Sequence, residues 1–336
     1  MTASGAKNAA LPIMAASLLT REAITIHHVP RLRDTETMVR ILTHLGAKVS
    51  FAGNTLKIDP SSLNRWTAPY ELVSTMRASI CLLGPLIGRC GQAKFSMPGG
   101  CVIGPRPIDL HLKGLARLGV SIRMEEGYVV AEARKLKGNS IFLGGAYGSS
   151  VLATANVMTA ATLADGVSWV EFAACEPEIV DLAIFLKSMG ARITGEGSHL
   201  IRIEGVKKLH GTEHTLIPDR IETGTFLLAG AATRGRVRVT GCRPKDLFSL
   251  VDKLEESGVT VKQGPDWIEV TGNRKWQALD IVTWPYPGFP TDLQAQMMAF
   301  LTKAEGVSSI TEKVYPDRFI HIGELNRLGA SISLDG

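Results

Sequence analysis

Cys101 lies in the glycine-flanked stretch Gly99-Gly100-Cys101-Val102-Ile103-Gly104, five residues before Arg106, which stands between Pro105 and Pro107. A thiol placed there supplies a nucleophile or, when protonated, a proton donor. The arginine offers a planar, permanently charged fork for phosphate or carboxylate. Glycines let the backbone approach a ligand, and prolines remove freedom that binding would otherwise take away. Lys7-Asn8 adds a compact cation and an amide ahead of an apolar run, and Asp292 stands in Phe289-Pro290-Thr291-Asp292 just before a helical pattern. Taken alone, Asp292 reads as an N-cap, Lys7-Asn8 more often as a solvated helix start, and Arg77 beside Met76 as a snorkelling surface residue. The loop Gly144-Gly145-Ala146-Tyr147-Gly148-Ser149-Ser150 opens a helix at Val151, and backbone amides at such an end suit a diphosphate. No Walker lysine follows, which excludes a nucleoside-triphosphate loop. His210 and His214 have metal-like spacing, but Gly211 and the absence of apolar periodicity point to a loop, and no metal or other cofactor is expected.

The elements that must position these residues come in a repeat. An amphipathic helix, a glycine and two short alternating strands recur around Gly46, Gly119, Gly190 and Gly258 and begin again at Gly329, at spacings of 73, 71, 68 and 71 residues. Each glycine suits a left-handed helix cap. A second helix shares the period and closes at Gly91, Gly166, Gly235 and Gly306. The helix within 153–164 is apolar on all sides and is expected to be buried all round. The unit therefore reads strand–helix–strand–helix–strand–strand, a βαβαββ pattern of the α/β class with helices and sheets packed around local cores. Five units are visible, and Met1 to Gly5 shows no strand ahead of the first helix.

The chain has 336 residues, a formal charge of +5, 45% hydrophobic and 6% aromatic residues. This length predicts two domains. The small, scattered charge and the scarcity of aromatics argue against nucleic-acid binding, while a modest positive excess fits anionic small molecules. Five cysteines (Cys81, Cys90, Cys101, Cys175 and Cys242) form no CxxC pair, which fits a reducing compartment without a disulfide framework. The apolar run from Ala9 to Leu19 contains Pro12 and reads as a buried helix, not a signal peptide, and no run reaches membrane-spanning length. The expectation is a cytoplasmic protein with no membrane association and no obligate protein partner.

Seven motifs in one order, SGAKNAALP (4–12), TMRASI (75–80), GGCVIGPRPIDLH (99–111), EPEIVDL (176–182), PDRIETGTF (218–226), PGFPTDLQAQ (287–296) and YPDRFIHIGEL (315–325), resemble the enolpyruvyl transferase family, in its branch acting on UDP-N-acetylglucosamine. The sister branch of aromatic amino-acid synthesis shares the repeat and lacks the cysteine loop. The resemblance implies a two-domain inside-out α/β barrel, helices inside and sheets outside, with three units per domain. The first domain then spans 7–217, and the second spans 218–336 plus 1–6 and is expected to be incomplete, with about two of its three units.

The resemblance further implies transfer of the enolpyruvyl group of phosphoenolpyruvate to the 3-hydroxyl of UDP-N-acetylglucosamine with release of phosphate, the first committed step of peptidoglycan synthesis. Cys101 matches the general acid, open to alkylation by fosfomycin. Lys7 and Asn8 match the pair that grips phosphoenolpyruvate, and Arg106 matches a phosphate-binding arginine. Arg77 matches a sugar-nucleotide contact, and Pro107, Ile108, Asp109 and Leu110 match the segment lining the uracil pocket. Ser149, Ser150 and Val151 match the diphosphate loop, in which Gly148 stands where many relatives carry lysine. Asp292 matches the aspartate beside the 3-hydroxyl, Val314 a sugar-nucleotide contact, and Arg318 a group near the phosphate. Arg220 and Glu222 match residues of the domain junction, suited to ion pairing or ligand contact. The alternatives are a non-catalytic sugar-nucleotide-binding protein and an enolpyruvyl transferase with a different acceptor.

Overall fold

The computed structural model describes residues 1–97, 99 and 107–335. Cys101 and Arg106 lie outside the described residues. The chain divides into two compact units, a larger one running from Gly5 to Ile217 and a smaller one formed by Met1–Ser4 together with the chain from Pro218 onward. Each unit has its own core. One cluster runs from Ala6 to Ile217, and the other joins Ala3 to residues between Leu227 and Leu301.

Local sequence explains the repeat. The helix Arg33–Leu45 begins after Pro30, where the Thr35 hydroxyl accepts a hydrogen bond from Leu32 N at 3.0 Å. It buries Met38, Ile41, Leu42 and Leu45, whose three- and four-residue spacing forms one face. Each such side chain contributes about 1.5–3 kcal/mol when removed from water. The helix ends at Gly46, whose φ of +106° is open to glycine and strained for other residues. A Cβ there would also meet Ser62 O at 2.7 Å. The other repeat glycines adopt the same left-handed cap, with φ of +92° at Gly119, +98° at Gly190, +91° at Gly258 and +95° at Gly329. The helix Leu83–Cys90 closes similarly at Gly91, whereas Gly166 and Gly306, expected to close their helices, are left-handed but lie five residues beyond the ends of Val151–Ala161 and Gln294–Leu301, whose caps Thr162 and Thr302 are right-handed. After the helix Arg220–Ala232 the left-handed residue is Arg234, at φ +57°, one position before Gly235.

Sheets are made across repeat boundaries. In the larger unit Gln92–Ser96, Tyr128–Glu132 and Ser121–Glu125 form one antiparallel sheet, and Thr67 from the preceding repeat bridges Lys94 in parallel. Ser140–Phe142 runs parallel to Val167–Glu171, the first strand of the next repeat. Glu213–Thr215, at the end of the third repeat, returns to run parallel to Ile24–His27 of the first, with Thr25 opposite Glu213. Three repeats thus close on one another by strand exchange, although no single sheet closes into a barrel among the described residues.

In the smaller unit Asp280–Val282 pairs in parallel with Ser309–Thr311. Met1–Ser4, expected to contribute no strand, supplies a parallel bridge from Thr2 to Thr240, reinforced by Thr240 N donating to Met1 O at 2.8 Å and Ala3 N to Thr240 O at 2.9 Å. The N-terminus therefore fills the edge position that a preceding repeat fills elsewhere.

Two helices are almost wholly buried. Nine of the eleven residues of Val151–Ala161 are buried, as its all-round apolar composition predicts. Lys7–Ala16 buries eight of its ten residues and packs against the helices Arg33–Leu45, Val151–Ala161 and Pro177–Ser188 and the 3₁₀ segment Arg77–Leu82.

Candidate active site

The candidate residues of the larger unit stand at helix beginnings. Lys7 and Asn8 open Lys7–Ala16, Arg77 opens Arg77–Leu82, Asp109 opens Asp109–Arg117, and Ser150 caps Val151–Ala161. First-turn amides have no partner within their own helix and carry the positive end of its dipole, so such starts favour anions. Ala6, Met76 and Ile108 provide no side-chain cap, whereas the Ser150 hydroxyl accepts from Ala153 N at 3.3 Å. Lys7 Nζ lies 3.2 Å from Asp34 Oδ2, with both side chains partly exposed.

Three of these starts are physically joined. Arg77 Nη2 donates to Pro107 O at 3.2 Å, tying this arginine to the segment Pro107–Leu110. Leu110 packs on the hairpin Gly144–Gly145/Gly148–Ser149, so closely that a Cβ on Gly145 would lie 2.9 Å from Leu110 Cδ1. Gly148 has φ +95°, a conformation that lysine would adopt only with strain. Ser149 Oγ is buried and has no hydrogen-bond partner among the described residues. Gly99, at the mouth of the cysteine stretch, approaches the chain ahead of Arg77. Its amide reaches Val73 O at 3.4 Å, and a Cβ would strike Ser74 O at 2.1 Å.

Beneath this cluster lies a residue that sequence reasoning did not single out. Asn156 is fully buried and connects the three elements. Its Oδ1 accepts from Gly84 N at 2.7 Å, and its Nδ2 donates to Ile80 O at 2.9 Å and to His111 Nδ1 at 2.8 Å. With the amide oriented by Gly84, His111 Nδ1 must be the acceptor, which places that ring's proton on Nε2 in the neutral form. The available signal was one carboxamide inside a helix whose other polar side chains are only Thr154 and Thr159.

In the smaller unit Asp292 sits in the 3₁₀ turn Thr291–Leu293 ahead of the helix Gln294–Leu301. Arg318 Nη1 donates to Asp292 Oδ1 at 2.7 Å and to Thr291 Oγ1 at 3.1 Å, so two candidates remote in sequence meet as an ion pair. Arg318 O accepts from Gln294 Nε2 at 3.2 Å. Val314 N is held at 2.8 Å by the carboxylate of Glu312, another residue missed from sequence. His321 has its imidazole pushed below the usual range, first by burial and then by the charge of Arg318. Glu222 grips the N-terminal segment, accepting from Ser4 N at 2.6 Å and Ser4 Oγ at 3.1 Å, and Arg220 lies over the Tyr286 ring at 5.6 Å.

The four described cysteines are poor nucleophiles. Burial pushes the Cys81 thiol up to about 12 and raises those of Cys90, Cys175 and Cys242. His214 Nε2 pairs with Asp181 Oδ1 at 3.1 Å within the core, and His210 Nδ1 lies 2.9 Å from Gly211 O. Among the described residues no group of three or more His, Cys, Asp or Glu is placed to hold a metal ion, and no helix is long and apolar enough to cross a membrane.

The family model for EPSP synthase (3-phosphoshikimate 1-carboxyvinyltransferase) matches residues 1–336. UDP-N-acetylglucosamine 1-carboxyvinyltransferase of Methylacidiphilum infernorum is 53% identical over 99% of this chain and 79% of its own length. The protein of the same name from Desulfosudis oleivorans is 49% identical over 99% of this chain and 79% of its own length. Among solved structures, the enolpyruvyl transferase NikO from Streptomyces tendae superposes with a TM-score of 0.90 at 25% identity, covering all of this chain and 79% of that one. With its repeated α/β units and its motifs in family order, the chain belongs to the EPSP synthase (3-phosphoshikimate 1-carboxyvinyltransferase) family and has the enolpyruvyl transferase fold.

Proposed function

We propose that this chain transfers the enolpyruvyl group of phosphoenolpyruvate to the 3-hydroxyl of UDP-N-acetylglucosamine, releasing phosphate, as a cytoplasmic step in making the peptidoglycan precursor. The observation that carries this is 53% identity across 99% of the chain to a protein of that name. The geometry supports it. The joined cluster of Arg77, Pro107–Leu110 and Ser149–Val151 offers an arginine, a hydrophobic wall and helix-start amides, the set a nucleoside diphosphate sugar requires.

In the addition step the sugar oxygen bonds to the central carbon of phosphoenolpyruvate while the methylene carbon gains a proton. In the elimination step a proton leaves the resulting methyl group, the carbon–carbon double bond re-forms, and the bond from the central carbon to the phosphate oxygen breaks, releasing phosphate. An unperturbed thiol, with a pKa of about 8.5, is mostly protonated at neutral pH, and Cys101 is the group that supplies the proton. Asp292, fixed by Arg318, receives the hydroxyl proton. Lys7, Asn8 and Arg106 hold the phosphate and carboxylate of phosphoenolpyruvate.

The test is phosphate release from phosphoenolpyruvate, with and without UDP-N-acetylglucosamine. Release that depends on the sugar nucleotide is expected, with fosfomycin labelling abolished by Cys101→Ser. Nucleotide binding without release would reduce the chain to a binding protein, and release only with another acceptor would reassign the substrate.

A further inference from the structure

The Glu312 carboxylate is buried, with only 7% of the residue exposed, and no family motif quoted above contains it. Its two oxygens divide their work. Oε1 accepts from Thr283 Oγ1 at 2.7 Å, Val314 N at 2.8 Å and Tyr315 N at 2.9 Å. Oε2 accepts from Thr291 Oγ1 at 2.9 Å. The Thr283 hydroxyl in turn accepts from Lys313 N at 3.0 Å, so the turn after Ser309–Thr311 is fastened to the neighbouring strand Asp280–Val282. The Thr291 hydroxyl, its proton committed to Glu312, presents a lone pair to Arg318 Nη1 at 3.1 Å, and the same nitrogen reaches Asp292 at 2.7 Å. An ionised carboxylate only accepts, which fixes the direction of every bond in this chain of contacts.

We infer that Glu312 is a positioning residue for the transfer reaction: through the Thr291 hydroxyl it sets the Arg318–Asp292 pair, and through its other oxygen it sets the backbone of Val314. One buried carboxylate thus aligns the proton acceptor and a sugar-nucleotide contact that lie 22 residues apart in sequence. This rests on the transferase reading above. The relay acts on a group whose placement matters most in the transition state, so its loss falls on kcat and little on KM.

The test uses the full chain and the variants Thr291→Val, Thr291→Ser and Glu312→Gln. Valine keeps the branched shape but neither donates to Glu312 nor accepts from Arg318. Serine restores both. Glutamine retains one oxygen for Thr283, Val314 and Tyr315 but turns an N–H toward Thr291, leaving that hydroxyl's proton without its acceptor. Thr291→Val and Glu312→Gln are expected to lower kcat about 10²-fold with KM for both substrates within about threefold, and Thr291→Ser to recover most of it. Wild-type kcat in either defective variant, or failure of serine to rescue, overturns the inference. If the parent chain itself shows no turnover, the transferase reading fails separately. The relay is then decided by the ¹³C signal of the Asp292 carboxylate, assigned through Asp292→Asn. That signal is expected to move in Thr291→Val and return in Thr291→Ser, and an unmoved signal overturns the inference.

Discussion

Replacing Asn156 with alanine should damage the larger unit's stability and its nucleotide site together. The carboxamide makes three buried hydrogen bonds, to Gly84 N, Ile80 O and His111 Nδ1, at 2.7 to 2.9 Å. Ile80 O keeps a second donor in Leu83 N, so it is not left without a partner. The Gly84 amide loses a short bond in a fully dry position. Counting about 1–3 kcal/mol for that amide and roughly 1 kcal/mol for each other bond, with a small cavity term, gives about 3–5 kcal/mol. For a unit of this size the equivalent drop in its melting temperature is about 6–20 °C. Calorimetry should show the larger unit's transition falling by that amount while the smaller unit, with its separate core, keeps its own. The same substitution loosens Arg77–Leu82, Asp109–Arg117 and Val151–Ala161 against each other, so UDP-N-acetylglucosamine affinity should fall at least about fivefold, near 1 kcal/mol. A melting shift under about 2 °C would refute the claim that this amide ties the three helix starts together.

Other outcomes follow from equally local features. Gly84→Ala would place a Cβ 2.2 Å from Asn156 O and 2.4 Å from Thr159 Oγ1, and backbone cannot yield like a side-chain tip. The expected loss is about 2–3 kcal/mol by urea unfolding, and a neutral result would mean the two helices slide apart freely. Glu269 bonds Arg236 and Arg238, each at 2.8 Å, and these bonds, that to Arg236 first, hold its carboxyl below the usual range. Because the folded value lies below the unfolded one, this stabilisation is present above about pH 4.3 and lost as pH falls through the depressed value. Glu269→Gln should therefore be less stable than the parent at neutral pH, and the difference should close in acid. A gap that stays constant from pH 7 to pH 3 would contradict it.

The repeat was legible from single residues because its punctuation is steric. A helix that must turn at once into a strand needs a left-handed residue, and glycine takes that conformation without cost, which is why Gly46, Gly119, Gly190, Gly258 and Gly329 all mark caps. The rule weakened at Arg234, where the left-handed turn stands one residue ahead of Gly235, and at Gly166 and Gly306, which lie beyond the ends of their helices. The burial of Val151–Ala161 was equally readable, since a helix apolar on every side has no face to offer water.

The motifs around Cys101, Arg77, Asp109, Ser149 and Asp292 pointed to the family, since reactive and charged groups have few substitutes. What no stretch of sequence contained was the pairing of distant parts. The edge formed by Met1–Ser4 exists only because Thr240 presents open backbone groups to it. Asn156 matters because Gly84, Ile80 and His111 converge on one dry point. Glu312 matters because folding brings Thr283, Thr291 and Val314 to its two oxygens. Local rules act over one turn of chain and so can be read along it. A buried polar group is satisfied by whatever the fold brings near it, so its role is decided only in three dimensions.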